Sequence, residues 1–271
     1  MKIGVSSYAM TWSIGIAGQP RLVKPMDLHE LVACAAEAGA EVLQFADNLP
    51  LHEQPASALR ILAEEAAGRQ IDLEIGTKGL NPARLLIYLE LAHSLGARLV
   101  RTLPHDGNDR PDLDEACRRL QTVRSDFESA GITLAVENHD FYPAAWLAAL
   151  IDRTGSSRIG VCLDAVNNLG QGESFAEVIH QLGRLTVNFH CKDYVIARKP
   201  TQLGFDVTGC PAGEGMLDLK LAASVLPDPD LSWIVESWLP WQGTIAATTQ
   251  LERSWLNRSV NNLKRFREQH V

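Results

Sequence analysis

Short apolar segments alternate with longer amphipathic segments along the whole chain, and this alternation limits the possible folds more than any other feature. Eight short segments have strand length and lack a two-residue period: Lys2–Ser7, Val42–Ala46, Ile71–Gly76, Arg98–Leu103, Ile132–Asn138, Ile159–Asp164, Leu185–His190 and Trp233–Glu236. Unbroken apolar strands are typical of parallel sheets that are covered on both faces. Because eight right-handed βα units close into a barrel, the pattern predicts an α/β protein with a single (β/α)8 TIM barrel.

Capping sequences in the gaps between these strands indicate helices. Asp27–Glu30 and Ser174–Glu177 both match the capping box, which marks the first turn of a helix. Two segments interrupt the regular alternation, Met10–Lys24 after the first strand and Arg198–Leu217 after the seventh. We interpret both as long loops on the catalytic face of the barrel, where lids and binding loops are found.

Composition narrows the class of protein further. The 271 residues fit one barrel domain over residues 1–271, and a formal net charge of −8 argues against nucleic acid as a partner. None of the five cysteines forms a CxxC pair, which favours reduced thiols. The chain enters an apolar run at Lys2–Val5 without a secretory signal, and no apolar stretch approaches the roughly 18 residues of a membrane span. We therefore expect a cytoplasmic protein without a membrane partner.

Four acidic or imidazole side chains end the last four predicted strands. They are Glu137, Asp164, His190 and Glu236. Each alone could cap a helix or pair with a cation, but the C-terminal ends of barrel strands converge on one mouth. Three carboxylates and one imidazole meeting there suit a hard divalent cation, and Mn²⁺, Mg²⁺ or Co²⁺ fits them better than a structural zinc. The sequence therefore predicts one divalent metal ion bound by these four residues.

The segments around these residues resemble a known family. Ala135–His139, Cys162–Asp164, Phe189–Asp193, Gly213–Gly215 and Val235–Glu236 look like the sugar (phosphate) isomerase/epimerase branch of the xylose-isomerase-like TIM barrels. The resemblance extends over essentially the whole chain. It implies that the four strand-end residues bind one metal ion and that Glu137 and Glu236 act as acid and base on opposite faces of the substrate. The implied function is a metal-dependent isomerase or epimerase for a ketose-like or sugar-acid substrate, acting through a metal-stabilised enediolate.

The chain departs from the epimerases at positions that contact substrate in that family. Asn167 stands three residues after Asp164, where the epimerases commonly carry histidine. Three further cationic residues, Lys78, Arg101 and Lys192, could give the barrel mouth positive charge for an anionic sugar acid or phosphate, or could pair with its carboxylates. The substrate-binding candidates are Lys78, Arg101, Asn167, Lys192 and Arg198, the last as the nearest counterpart of an arginine that follows the histidine ligand in the family.

Other functions are compatible with the same residues. A lyase could use this metal site to decarboxylate a 3-oxo sugar acid or to dehydrate a related substrate. A DNA-repair endonuclease on this fold would call for more histidines and a more basic chain, and a non-catalytic barrel would not need intact ligands. The expected partner is a small carbohydrate or sugar acid, and homo-oligomerisation is left open. Aromatic residues beside the first and last strand ends are candidates for a pocket wall, for ordinary packing or for a subunit contact: Tyr8, Trp12, Trp238 and Trp241.

Overall fold

Eight parallel strands form a closed barrel in the computed structural model of the protein, which describes residues 1–226, 228 and 230–270. The barrel strands are β1 Lys2–Ser6, β2 Val42–Phe45, β3 Asp72–Lys78, β4 Leu99–Leu103, β5 Thr133–Glu137, β6 Ile159–Asp164, β7 Thr186–Cys191 and β10 Ser232–Val235. Each strand pairs in parallel with its neighbours, and β1 closes the circle against β10. The predicted (β/α)8 barrel is therefore confirmed, with strand ends that move by one or two residues.

Helices surround the barrel. They are α1 Thr11–Ile14, α2 Leu28–Ala38, α3 Ala56–Gly68, α4 Pro82–Leu95, α5 Leu113–Ala130, α6 Ala144–Thr154, α7 Phe175–Leu182, α8 Leu219–Val225 and α9 Ile245–His270. Both predicted capping boxes form, at Asp27 with Glu30 and at Ser174 with Glu177. Such caps satisfy backbone N–H groups that have no partner within the helix, and each is worth about 1 kcal/mol. No helix in the described part of the chain is both long enough and apolar enough to cross a membrane.

The main core lies between the barrel and its helices. Phe189 of β7 contacts Trp233 of β10 edge to face, with ring centroids 4.9 Å apart, and Phe266 of α9 stacks on Trp233 at 6.0 Å. Trp233 and Phe189 are almost completely buried. Because apolar burial is the dominant favourable term in folding, this contact fixes the C-terminal helix against the strand that carries Glu236 at its end.

The interior of the barrel is largely polar in its middle layer. Gln44, Glu74, Asn188 and Ser232 point inward and are 9% exposed or less. The register between β6 and β7 shifts between Val161 and Cys162, after which Cys162 pairs with Asn188 and Asp164 with His190. This shift brings two of the predicted metal ligands side by side at the mouth.

The segment after β7 differs from the prediction of a long loop over Arg198–Leu217. Strands β8 Asp193–Arg198 and β9 Phe205–Cys210 form an antiparallel hairpin, with Ile196 opposite Val207. Most of the hairpin is exposed to solvent, so it lacks the buried apolar run that identifies the barrel strands in the sequence. The first predicted loop, Met10–Lys24, contains a short 3₁₀ turn and α1 at its start and has no further regular element before α2.

Candidate metal centre and active-site cleft

The four strand-end residues converge on one point at the mouth of the barrel. His190 Nδ1 lies 3.5 Å from Glu137 Oε2, 4.0 Å from Asp164 Oδ2 and 3.4 Å from Glu236 Oε1. All four residues are 2% exposed or less. Ligand atoms that share one ion at 2.0–2.6 Å lie at most about 5 Å apart, so the three measured separations have the right size for a common divalent cation.

Among the residues that the structure describes, three buried polar atoms at this point have no hydrogen-bond partner. They are His190 Nδ1, Glu236 Oε1 and Asp164 Oδ2, of which the last is ion-paired with Lys192. Burying a polar group without a partner costs roughly 1–3 kcal/mol, which makes such atoms rare outside ligand sites. A divalent cation would satisfy all three atoms, so the residues fit the ion that the sequence predicts.

Cys162 lies beside the same point and could be considered as a further ligand. Its sulfur falls within 4.8 Å of candidate ligand atoms on Glu137 and His190. However, burial and the nearby Glu137 carboxylate raise the pKa of the Cys162 thiol well above its ordinary value. The thiol donates a hydrogen bond to Asn188 Oδ1 at 3.2 Å. Because thiolates rather than thiols bind metals, the oxygen and imidazole ligands are the better set.

Two cationic side chains balance part of the negative charge around the centre. Lys192 Nζ lies 2.8 Å from Asp164 Oδ2 and 2.9 Å from Glu236 Oε2, and Arg101 is paired with Glu137 and Asp47. These two cations face four carboxylates, which leaves a formal charge of −2 for a divalent ion to neutralise.

The charges around Glu236 determine its protonation state. Burial opposes ionisation of this carboxyl group, but Lys192, His190 and Arg101 together lower its pKa to about 2. Lys192 is affected in the opposite direction. Burial disfavours its charged form, but Asp164 and Glu236 outweigh that effect and raise its pKa. Glu236 is therefore ionised, and Lys192 is a permanent positive charge at the mouth.

Glu137 is held at both of its oxygens. Arg101 Nε donates to Oε2, and Asn167 Nδ2 donates to Oε1 at 2.8 Å. Arg101 in turn donates to Asp47 Oδ1 at 2.8 Å and is 2% exposed. Arg101 is thus a structural partner of carboxylates, which is one of the two roles that its sequence position allowed.

A cleft of about 470 Å³ opens directly above the centre. Its walls are formed by Tyr8, Thr11, Trp12, Ile16, Arg101, Leu103, Glu137, His139, Asp140, Asn167, Lys192, Glu236, Ser237, Trp238, Leu239 and Glu252. Trp12 is fixed by a hydrogen bond from Nε1 to Leu239 O at 2.8 Å and by contact with Trp241, 5.2 Å between ring centroids. Tyr8, Trp12 and Trp238 therefore form part of the wall of the cleft, whereas Trp241 packs against Trp12 and does not line it.

Two of the five predicted substrate contacts lie elsewhere. Lys78 pairs with Asp106 at 3.4 Å and borders a separate surface depression. Arg198 lies in the exposed hairpin, with its guanidinium group 4.4 Å from the ring centre of Phe205. Arg101, Asn167 and Lys192 do line the cleft. Lys78 does not line the cleft because its exposed side chain pairs with Asp106 at the separate depression, and Arg198 does not because it lies in the exposed part of β8.

Asp193 holds the loop that follows the hairpin and thereby fixes the position of Lys192. Its carboxylate accepts four backbone N–H groups, from Tyr194 at 2.8 Å and from Gly213, Gly215 and Leu217 at 2.9 Å each. A side chain at position 215 would collide with Asp193 and with the backbone of Tyr194. The Gly213–Gly215 motif is therefore explained by close packing around this carboxylate.

Several residues that shape the site were not identified from the sequence. Asp47 follows β2, pairs with Arg101 and accepts a hydrogen bond from Tyr8 Oη at 3.2 Å. Gln44 lies within β2 and contacts the ring of His190. Each interrupts or ends an apolar run, and a polar residue in a fully buried strand is the signal that could have pointed to them.

Comparison with known proteins agrees with this fold. Residues 32–258 match the sequence profile of the family described as "Xylose isomerase-like TIM barrel". The chain belongs to the xylose isomerase-like TIM barrel family.

Among characterised relatives, the 3-oxo-isoapionate decarboxylase of Pectobacterium atrosepticum is 34% identical over 265 residues, which cover 97% of this chain and 95% of that protein. The crystal structure of a D-psicose 3-epimerase in the presence of D-fructose superposes with a TM-score of 0.71 at 16% identity, covering 97% of each chain. A xylose isomerase-like TIM barrel protein from Mycobacterium smegmatis in complex with magnesium superposes with a TM-score of 0.68 at 15% identity, again covering 97% of each chain. At these identities the two structures establish the shared fold alone.

Proposed function

We propose that this protein is a divalent-metal-dependent lyase that decarboxylates a 3-oxo sugar acid. The observation that carries the proposal is the state of Glu137, because Arg101 and Asn167 each donate to one of its oxygens and hold the carboxylate in the orientation of a metal ligand. An epimerase also needs this residue to move and exchange a proton with a substrate carbon. Decarboxylation needs no base to remove a carbon-bound proton. The activity of the 34% identical relative from Pectobacterium atrosepticum supports the same reaction class.

The reaction breaks the bond between the carboxylate carbon and the α-carbon of the substrate. CO₂ leaves, the electron pair passes into the neighbouring ketone as an enolate, and a proton from solvent adds to the α-carbon. A divalent ion held by Glu137, Asp164, His190 and Glu236 would supply Lewis-acid chemistry for the ketone. No oxidant or reductant is required.

The residues of the cleft have separate tasks in this proposal. Lys192 supplies a permanent positive charge that recognises an acidic substrate. Trp12, Ile16 and Leu239 form an apolar wall beside it. Exclusion of water by this wall favours the conversion of a charged carboxylate into neutral CO₂. Arg101 holds Glu137 in place as a ligand.

A second candidate function is the epimerase that the family resemblance implies. The supporting observation is that Glu137 and Glu236 both border the cleft and both lie within 3.5 Å of His190 Nδ1. In that case one carboxylate would take the proton next to the ketone and the other would return a proton to the opposite face.

Product analysis in D₂O distinguishes the two functions. Mn²⁺-loaded protein is incubated with a 3-oxo sugar acid, and separately with the ketoses D-psicose and D-fructose, with chelator-treated protein as the control. We expect one CO₂ per product molecule, one deuterium at the α-carbon and no exchange in the ketoses. Deuterium exchange at C3 of a ketose without CO₂ release from the acid would favour the epimerase and overturn the lyase.

A further inference from the structure

We propose that Gln44 and Glu74 are positioning residues that make His190 present Nδ1, rather than Nε2, to the metal ion. Neither residue borders the cleft, and both lie in the barrel interior below it. The inference rests on the proposed metal site and is independent of which reaction the site catalyses.

The two nitrogens of His190 have different surroundings. Nε2 lies 2.8 Å from Gln44 Oε1, whereas Nδ1 faces Glu137 and Glu236 and has no hydrogen-bond partner. An imidazole that binds a metal ion is neutral and carries a single N–H group. Because the carbonyl oxygen of Gln44 can only accept a hydrogen bond, Nε2 must carry the proton. The lone pair of Nδ1 is then free to bind a cation.

The orientation of the Gln44 amide is fixed by its other contacts. Gln44 Nε2 donates to Glu74 Oε2 at 2.9 Å and to Asn188 Oδ1 at 3.0 Å. Rotating the amide by 180° would place its oxygen against both of these acceptors and its NH₂ group against His190. Two hydrogen bonds would be lost in the buried barrel interior, at a cost of roughly 1–3 kcal/mol for each unsatisfied group. Glu74 therefore helps to fix the orientation of the Gln44 amide, and this orientation places the amide oxygen against Nε2 of His190.

Glu74 is itself held from three sides. Ser232 Oγ donates to Oε1 at 2.5 Å, and Asn188 Nδ2 donates to Oε2 at 3.0 Å, beside the bond from Gln44. Burial raises the pKa of Glu74, and the hydrogen bonds from Ser232 and Gln44 lower it in part. The inference holds in either protonation state, because Oε2 accepts two N–H bonds and any proton would reside on Oε1, toward Ser232.

The nitrogen that binds the metal can be observed directly. Protein labelled with ¹⁵N-histidine is saturated with diamagnetic Zn²⁺, and the ring nitrogens are assigned by comparison with His190→Gln. We expect the His190 proton on Nε2 and a metal-shifted signal from Nδ1. A proton on Nδ1, with Nε2 bound to the metal, would overturn the inference. The spectrum of the wild-type protein is sufficient for this test, and no variant of Gln44 or Glu74 is needed.

The affinity for Mn²⁺, measured from the free-ion signal in electron paramagnetic resonance, tests the role of each residue. Gln44→Leu removes the acceptor and should weaken Mn²⁺ binding by about 10–100-fold, the usual effect of losing a partner of a metal ligand. The exchange variant Gln44→Glu with Glu74→Gln keeps the charge and size of the pair. After a rotation of the Asn188 amide it restores the hydrogen bonds among positions 44, 74 and 188 and keeps an acceptor for Nε2 of His190, so its affinity should approach that of the wild type.

Ser232→Ala is the matched control, because it removes two hydrogen bonds from the same buried cluster, those with Asn188 and Glu74, and none with Gln44 or His190. Thermal unfolding confirms that each variant is folded. Wild-type affinity in Gln44→Leu, or an equal loss in Ser232→Ala, would overturn the positioning role while leaving the metal site intact. If the wild-type protein bound no Mn²⁺ or Zn²⁺, the metal site and the positioning role would both be refuted.

Discussion

Asn167 donates a hydrogen bond from Nδ2 to Oε1 of Glu137 across 2.8 Å. Asn167 is the position at which the chain departs from the epimerase pattern. Glu137 is the carboxylate that an epimerase would use as acid or base. Asn167 also reaches the backbone oxygen of Asn138 at 3.2 Å, so its side chain is fixed in this orientation. Asn167 therefore fixes the carboxylate of Glu137 and also forms part of the wall of the cleft.

We predict that Asn167→Asp impairs the enzyme more than Asn167→Ala. Removing the amide costs one hydrogen bond to a charged group, about 1.5–3 kcal/mol, or roughly a ten- to hundredfold loss in kcat/KM. The aspartate adds repulsion between two buried carboxylates on top of that loss. Steady-state kinetics on a 3-oxo sugar acid checks the order. Equal losses in the two variants would show that the contact with Glu137 does not matter for turnover.

Lys192→Met is expected to lower kcat/KM for an anionic substrate by about ten- to a hundredfold, because one charge-assisted contact is worth about 1.5–3 kcal/mol. Lys78→Met is the matched control, since Lys78 pairs with Asp106 outside the cleft. The control should retain wild-type kinetics. A comparable loss in both variants would mean that the cleft is not where the acid binds.

The fold and the main ligands could be predicted from the sequence because each depends on local patterns. The apolar runs that end at Glu137, Asp164 and Glu236 lie in parallel strands, and parallel strands of a barrel must end at the same mouth. The capping boxes at Asp27 and Ser174 depend on neighbouring residues alone, and both formed as predicted.

Contacts made by long side chains could not be predicted in the same way. Lys78 follows a strand end like the other candidates, but its direction depends on a pairing with Asp106 from the next βα loop. Arg101 pairs with Glu137 at the end of β5 and with Asp47 in the loop after β2, up to 54 residues away in sequence. The β8–β9 hairpin was predicted as a loop because its exposed residues carry no burial pattern.

Asp193→Asn should destabilise the protein strongly. Each oxygen of Asp193 accepts two backbone N–H groups, so the new NH₂ group must face two donors in either orientation. The loss of two hydrogen bonds and the resulting repulsion should lower the free energy of unfolding by about 3 kcal/mol or more. Urea unfolding measures it, and Asp206→Asn, at an exposed position of the hairpin, serves as the control. If Asp193→Asn lowered the free energy of unfolding no more than Asp206→Asn does, the role of Asp193 would be contradicted.

Glu252 of α9 should make stability depend on pH. Its carboxylate accepts hydrogen bonds from Trp12 N at 2.7 Å and from Ser13 N at 2.9 Å, and burial raises its pKa to about 7 despite these bonds and the nearby Arg253. The folded state therefore binds more protons than the unfolded state between about pH 4.5 and 7. Below this window Glu252 makes its full contribution to the free energy of unfolding. About 3 kcal/mol of that contribution is lost as the pH rises through the window.

Urea unfolding of the wild type and of Glu252→Gln at several pH values from 4.5 to 8 tests this contribution. Glu252→Gln loses a hydrogen-bond acceptor at every pH. The informative quantity is therefore the pH dependence of the difference in unfolding free energy between the two proteins. We expect the advantage of the wild type to shrink as the pH rises. A difference that is constant across the range would show that Glu252 titrates normally.

The most direct test of the account is a crystal structure of the protein soaked with Mn²⁺, with anomalous data collected to locate the ion. We predict one anomalous peak at the mouth of the barrel, with oxygens of Glu137, Asp164 and Glu236 and Nδ1 of His190 at roughly 2.0–2.6 Å from it. The same peak should vanish in Glu236→Gln or weaken strongly. A fully soaked crystal with no peak between these four residues, or with the ion bound by other side chains, would contradict the proposed metal site and the chemistry assigned to it.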